Sequence, residues 1–303
     1  MEFTSTSFLF DGPKATPLDG VLKGHYPDAS WGAVRKLIET GKVTVDGQLI
    51  RETRREVKPQ SAIAIGMTRP KVQQAADQRI LYVDPHVVVV NKPTGIASVD
   101  HEAEPTSLQS EIRRSLEQQE RRKVPPLKVV HRLDKVTSGV MVFARTQAAQ
   151  TDMKEQFKAH TTGRIYLALA HGTVHSGSLS FRLVRDRGDG VRGVTQNPLI
   201  GYASTTHVRA RETFTRTTLI ECKLETGRTH QIRIHLAEIG HPLVGEPLYI
   251  RDFRGTLLDA PRTMLHAAQL SFTHPVFRNT RRFEVPMPDE FSKFVERERA
   301  FRG

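Results

Sequence analysis

The chain has 303 residues, 38% hydrophobic and 26% charged, enough for one large domain and a smaller one around cores that need no staples. Its single cysteine, Cys222, excludes an internal disulfide framework and fits a reducing compartment. Forty-five Lys+Arg against 33 Asp+Glu leave a net charge of +12, which points to a polyanionic partner such as nucleic acid.

The chain starts MEFTSTSFLF, with no basic stretch leading into an apolar run. No later segment approaches the ~18 uninterrupted apolar residues of a membrane span. A cytoplasmic protein without a membrane anchor is expected. Residues 12–66 read as a small α+β module. Ser30 can cap a helix that carries Val34, Leu37 and Ile38 on one face, with Gly41 as its stop. Val43 and Val45 then alternate with polar residues up to Asp46-Gly47, a hairpin dipeptide, and a second short strand follows near Leu49. Lys23, Arg35, Lys36, Lys42, Arg51, Arg54, Arg55 and Lys58 make this stretch basic. Residues 67–79 are polar, carry a proline and show no apolar period, so they read as a linker.

From residue 80 to 303 strand runs and helices mix. LYV, HVVVVNK, VMVFA, IYLALA and TLIECKL read as strands. Residues 106–121 and 147–158 read as helices, the first with Leu108, Ile112 and Leu116 in one stripe. Strands bunch and helices fall irregularly between them. The fold class is therefore α+β, with a mixed, mainly antiparallel sheet flanked by helices and loops.

Three segments carry candidate chemistry. HRLDKVTSGVMVFA (131–144) places a polar loop before an apolar strand, and the loop holds His131, Arg132, Asp134, Lys135, Thr137 and Ser138. Positive neighbours favour a carboxylate's charged form, and a charged Asp at a strand mouth can act as nucleophile or general base. In LETGRTHQIRIHLAEIGHPLVGEPLY (224–249), Thr229 can cap a helix with Ile232, Leu236 and Ile239 on one face. Arg228 would then sit just before a helix N-terminus, where anions are favoured, while Arg233 and His235 read as surface residues. In RIYLALAHG (164–172), Tyr166 shares one side of a strand with Ala168 and Ala170 and could stack on a base.

GDGVRG (188–193) fits G-x-G-x-x-G, but charged VRDR precedes it and a proline-bearing stretch without helical periodicity follows, so it is not a dinucleotide loop. The 13 histidines include no H-E-x-x-H and the chain has no cysteine pair, so no metal is expected.

HRLDKVTSG resembles the signature of the RluA-like family of pseudouridine synthases. NKPTG (91–95), RIYLALAHG, LETGRTHQIRIHLAEIGHPLVGEPLY and LHAAQLSFTHP (265–275) resemble further family segments, in the same order. The helix and G-x-V-x-V-x-G hairpin of residues 12–66 resemble the alpha-L RNA-binding module, a frequent attachment in that family. The resemblance implies a pseudouridine synthase fold and an isomerase acting on uridine in RNA. It implies that Asp134 is the catalytic carboxylate, that Tyr166 lies against the flipped uracil, and that Arg228 pairs with Asp134. Arg132 would enter the RNA stack, with His131, Thr137 and Ile232 as further substrate contacts. Val136, Glu246 and Ile250 depart from the family's usual residues, away from those three central positions.

Uracil keeps all its atoms in this reaction, so no cofactor is expected. The expected partner is RNA: large-subunit rRNA first and tRNA second, with a ribosomal subunit precursor as a further candidate. A monomer is expected, since no apolar heptad is visible. The alternative of another class is a non-catalytic RNA-binding or ribosome-assembly protein, against which intact Asp134, Tyr166 and Arg228 weigh.

Overall fold

The computed structural model describes residue 3 and residues 6–66, 77–101 and 106–301. The chain divides into two compact units, with the division falling between residues 66 and 77. Residues 67–76 of the expected linker lie outside the described residues.

The first unit is built from β1 (Thr6–Leu9), β2 (Thr16–Pro17), α1 (Leu18–His25), α2 (Trp31–Glu39), β3 (Val43–Val45), β4 (Gln48–Ile50), β5 (Glu56–Val57) and β6 (Ala62–Ile65). Four strands form a sheet in the order β1-β6-β3-β4, and β2 pairs with β5. Ser30 caps α2, its hydroxyl accepting from the Ala33 amide at 3.2 Å. Asp46 and Gly47 both take positive φ (50° and 78°), the backbone that a two-residue hairpin between β3 and β4 demands. Leu18, Leu22, Val34, Ile38, Val43 and Ile63 are fully buried and form the core.

The second unit adds β7 (Ile80–Val83), β8 (Val87–Lys92), α3 (Leu108–Glu120), β9 (Lys128–Val129), β10 (Ser138–Ala144), α4 (Gln147–Lys158), β11 (Gly163–His171), β12 (Gly177–Val184), β13 (Gly193–Thr195), β14 (Tyr202–Thr213), β15 (Thr217–Leu224), α5 (Gln231–Glu238), β16 (Leu265–Thr273), β17 (Thr280–Glu284) and α6 (Asp289–Ala300). Its sheet runs β13-β12-β14-β15-β11-β16-β10-β8-β7, with β17 beside β16 and β9 beside β10. All pairings are antiparallel except β10–β16. Mixed, mainly antiparallel topology is thus observed. No helix among the described residues is long and apolar enough to cross a membrane.

The sheet is covered on both sides, so its central strands are apolar on both. Val87–Val90 are each 0% exposed. Val88, Val90, Met141 and Phe143 pack with Leu108, Ile112 and Leu116 of α3 and with Ile232 and Leu236 of α5. Val87, Val89, Val140 and Val142 pack with Ala149 and Met153 of α4. α6 lays Phe291, Phe294 and Val295 over Leu169 and Leu219.

The single parallel contact needs a close backbone approach. Gly139 pairs with Ala267, and a Cβ on Gly139 would lie 2.2 Å from the Ala267 carbonyl oxygen. Its φ of +118° is one that side-chain-bearing residues rarely adopt. This contact brings the loop before β10 against the start of β16, which pairs in turn with Tyr166–Ala168 of β11. GDGVRG lies between antiparallel β12 and β13, where the Asp186 carboxylate accepts from the Gly188 and Gly190 amides. A strand follows it, not a helix.

Candidate active site

Asp134 sits in the loop between β9 and β10, and that loop's backbone is almost fully spoken for. The Leu133 carbonyl accepts from Ser98 Oγ (2.6 Å), the Asp134 carbonyl from the Thr137 amide (3.0 Å), and the Lys135 carbonyl from the Gly95 amide (2.8 Å). The Val136 carbonyl accepts from Thr94 Oγ1 (3.0 Å) and Arg262 Nη2 (3.3 Å). Lys92, fully buried, donates to the carbonyls of Pro93, Lys135 and Thr137 at 3.0, 3.2 and 2.8 Å. Burial, aided by nearby Arg262 and opposed by Asp134, pushes its ammonium down to about 7. The NKPTG segment therefore serves as the clamp on the loop that carries Asp134. A loop with its carbonyls satisfied holds one shape, so the backbone from which the Asp134 side chain projects is held in place.

The carboxylate lines a cleft of about 440 Å³. Arg233 Nη1 stands 3.6 Å from Oδ2, and His230 Nε2 stands 3.7 Å from Oδ1. Arg233 is itself held by Glu246, through Nε at 2.8 Å and Nη2 at 2.6 Å, and both side chains are buried. The fork of donors thus has one edge on a buried acid and one nitrogen left to face Asp134. His230 takes αL backbone (φ 58°) and its Nδ1 meets the Tyr249 hydroxyl at 2.6 Å. Burial holds the His230 pKa below the ordinary histidine value, against the pull of Asp134.

This arrangement corrects the expected pairing of Arg228 with Asp134. α5 begins at Gln231, with His230 rather than Thr229 at its cap position. Arg228 precedes the first turn and is exposed, its guanidinium over the Tyr202 ring at 5.1 Å. One helical turn further, Arg233 is carried to Asp134 instead. Arg233 and His235 are 4% and 0% exposed, so neither is a surface residue. The sequence held a signal for this: Ile232, Ile234 and Leu236 surround them, and a helix apolar nearly all round is buried. Glu246, thirteen residues on, supplies the acid that a buried arginine needs.

Tyr166 lies on β11 beside the cleft and is 8% exposed. A register shift in the β11–β16 ladder falls between Ile165 and Tyr166, and such irregularities re-aim side chains next to sites. Burial, with a contribution from Asp134, pushes its phenol up to about 12. No group among the described residues hydrogen-bonds its hydroxyl. Ile232, Leu224 and Leu265 line the cleft with apolar surface. Arg132 is exposed at its rim. Thr137 is buried, its amide and carbonyl spent on Asp134 and Lys92. His131 accepts from the Val142 amide at Nε2 (3.1 Å) and stacks on Phe157 at 4.5 Å. Burial, then the Arg164 charge, pushes it down to about 3, so it is a neutral wall of the cleft. Among the described residues no group of three His, Cys, Asp or Glu could hold a metal ion.

The family model for RNA pseudouridylate synthase matches residues 86–238, from β8 through α5. Ribosomal large subunit pseudouridine synthase D of Xanthomonas campestris pv. campestris is 33% identical over 306 residues, covering 94% of this chain and 89% of that protein. The chain belongs to the RNA pseudouridylate synthase family. This synthase is an isomerase that converts uridine to pseudouridine in RNA. The protein of the same name in Neisseria meningitidis serogroup A is 36% identical, covering 90% of this chain and 76% of that one. An uncharacterised RNA pseudouridine synthase of Bacillus subtilis is 32% identical, covering 93% and 94%. The structure of human RNA pseudouridylate synthase domain containing 4 shares the fold, with a TM-score of 0.61 and 22% identity over 73% of this chain and 92% of that one. The synthase carries Asp134 on the β9–β10 loop, Tyr166 on β11 and Arg233 on α5.

Proposed function

We propose that this chain isomerises uridine in large-subunit ribosomal RNA, with Asp134 as the catalytic carboxylate. The observation that carries the reading is the Asp134 carboxylate, projecting from a saturated loop and faced by Arg233 in a cleft with an apolar floor. The ribosomal target is supported by the names of relatives that match nearly the whole chain.

The reaction breaks the bond from C1′ to N1, turns the uracil, and joins C1′ to C5, whose hydrogen leaves as a proton. A base stacked in RNA cannot turn, so it is flipped into the cleft. Arg132, exposed at the rim, fills the gap in the stack. Tyr166 lies against the ring, with its hydroxyl free for the substrate. The apolar surface of Ile232, Leu224 and Leu265 holds the detached base dry until it rejoins. Asp134 acts on the sugar or the base, and Arg233 stabilises its negative charge. Attack at C1′, attack at C6 and a glycal route all need that one aimed carboxylate.

The first unit serves as an RNA-binding module. Exposed Arg35, Lys36, Arg51, Arg54, Arg55 and Lys58 support this, as does Trp31, 48% exposed with Arg35 at 5.8 Å from its ring. Pseudouridine mapping by carbodiimide adducts and primer extension tests the target, on RNA from cells with and without the gene. Loss of a stop in large-subunit rRNA is expected. Loss confined to tRNA would overturn the ribosomal assignment and leave the reaction standing.

A further inference from the structure

Arg164 is a buried cation without an acid. It lies on β11 two residues before Tyr166, hence on the same face of the strand. It is 7% exposed and lines the catalytic cleft. The other arginines buried to this degree have carboxylates: Arg233 has Glu246, and Arg262 has Glu290 at 3.2 Å. Among the described residues, no acid stands within ion-pair reach of Arg164. Its Nη2 donates to the Glu225 carbonyl at 3.2 Å, and its guanidinium carbon lies 5.7 Å from the Phe157 ring centre. Its Nε is buried with no hydrogen-bond partner.

The surroundings are fitted to this group. A Cβ on Gly227 would lie 2.3 Å from Arg164 Nη1, so the loop from Glu225 to Arg228 passes directly over the guanidinium. Burial lowers the Arg164 pKa, as expected of a cation that has lost water without gaining an anion. A guanidinium desolvated in this way is costly, and the cost is offset when an anion arrives. The fork of an arginine matches phosphate in particular.

We propose that Arg164 is the anchor for a phosphodiester group next to the target uridine. The substrate supplies the anion: a nucleotide rotated out of its stack carries its own phosphates to the mouth of the pocket. The one group that enters with every substrate, whatever its sequence, is that backbone. Arg164 and Tyr166, side by side on β11, then grip backbone and base of a single nucleotide. The strand fixes the distance between the two grips. The assignment rests on the reading of this cleft as the uridine site.

The test uses the full-length protein and a short RNA spanning the mapped uridine. A single methylphosphonate, which is neutral, replaces the phosphate 5′ or 3′ of that uridine. Dissociation constants are measured over a range of KCl for wild type, Arg164→Gln and Arg164→Lys. Wild type is expected to lose about tenfold in affinity at one of the two positions. Arg164→Gln should already bind the unmodified RNA about tenfold more weakly, lose nothing further at that position, and show a salt slope shallower by about one. Arg164→Lys should keep most of the slope. Losses that multiply, or an unchanged salt slope in Arg164→Gln, would overturn the assignment. If Arg164→Gln does not fold, Gly227→Ala carries the same arms, because its Cβ displaces Nη1. C5-tritium release by wild type on the unmodified RNA separates the two failures: no release sinks the uridine site itself, whereas release with multiplying losses sinks Arg164 alone.

Discussion

Replacing Arg233 should damage both the fold and the chemistry, and the two losses can be pulled apart. Arg233→Met leaves the Glu246 carboxylate buried with only the Leu248 and Tyr249 amides, at 3.0 and 3.3 Å. Breaking a buried pair from one side costs about 3–5 kcal/mol. The same change removes the cation 3.6 Å from Asp134. At that separation, with an effective dielectric of about 20, the interaction is on the order of 4 kcal/mol, a ceiling of about a thousandfold in rate. Replacing the whole pair, Arg233→Met with Glu246→Met, removes the stranded charge and should recover most of the stability. It cannot restore the lost field at Asp134. Urea unfolding and C5-tritium release are therefore measured on both variants, with Arg228→Met beside them. Arg228 is exposed over Tyr202, so its removal should cost about 1 kcal/mol or less in stability. Recovery of turnover together with stability in the double variant would refute the role given to Arg233. So would an Arg228→Met variant more impaired in turnover than Arg233→Met.

Three further outcomes follow from the geometry. Gly139→Ala forces a Cβ to within 2.2 Å of the Ala267 carbonyl oxygen, so it should destabilise the synthase by about 3 kcal/mol; a wild-type urea midpoint would contradict the close β10–β16 contact. Tyr166→Phe removes only a hydroxyl that has no partner, so stability should stay within about 1 kcal/mol of wild type, while turnover drops; unchanged turnover would confine Tyr166 to packing. Lys92 is pushed down to about 7 by burial, whereas an unfolded lysine titrates near 10.4. Between those values the unfolded chain holds the extra proton, so unfolding becomes harder as pH rises. Wild-type stability measured against Lys92→Met should therefore increase from pH 7 to 9, by at most about 1.4 kcal/mol per unit. A difference that is flat or falls over that range would place the Lys92 pKa elsewhere.

Apolar strands were legible in the sequence, and polar ones were not. HVVVVNK and VMVFA announce β8 and β10 because both faces of those strands are buried. β14 spans Tyr202–Thr213 yet reads YASTTHVRARET, with one partly solvated face and few apolar residues to mark a period. β12 hides for the same reason. The Asp134 loop could be read because its chemistry is local: acid, bases and hydroxyls fall within nine residues, before a strand. The arginine could not be, because its choice depends on where a helix starts. Thr229 is a good cap by residue type, but the helix starts after His230 in αL backbone, with the Gln231 side chain accepting from the Arg228 amide at 3.0 Å. That single offset carries Arg233 to Asp134 and leaves Arg228 on the cleft wall, over Tyr202. The clamp by Lys92 and the stranded charge of Arg164 are likewise tertiary facts, made by residues 43 and 61 positions away in the chain.

Asp134 is the group proposed to drive isomerisation. Total RNA from cells lacking the gene, labelled with tritium at uridine C5, is incubated with wild type and with Asp134→Asn. Joining C1′ to C5 must expel that hydrogen, so wild type should release tritium and Asp134→Asn none, although both bind RNA. Release by both proteins would contradict the central role of Asp134. Release by neither, from free or ribosomal RNA, would leave a binding protein in place of an enzyme.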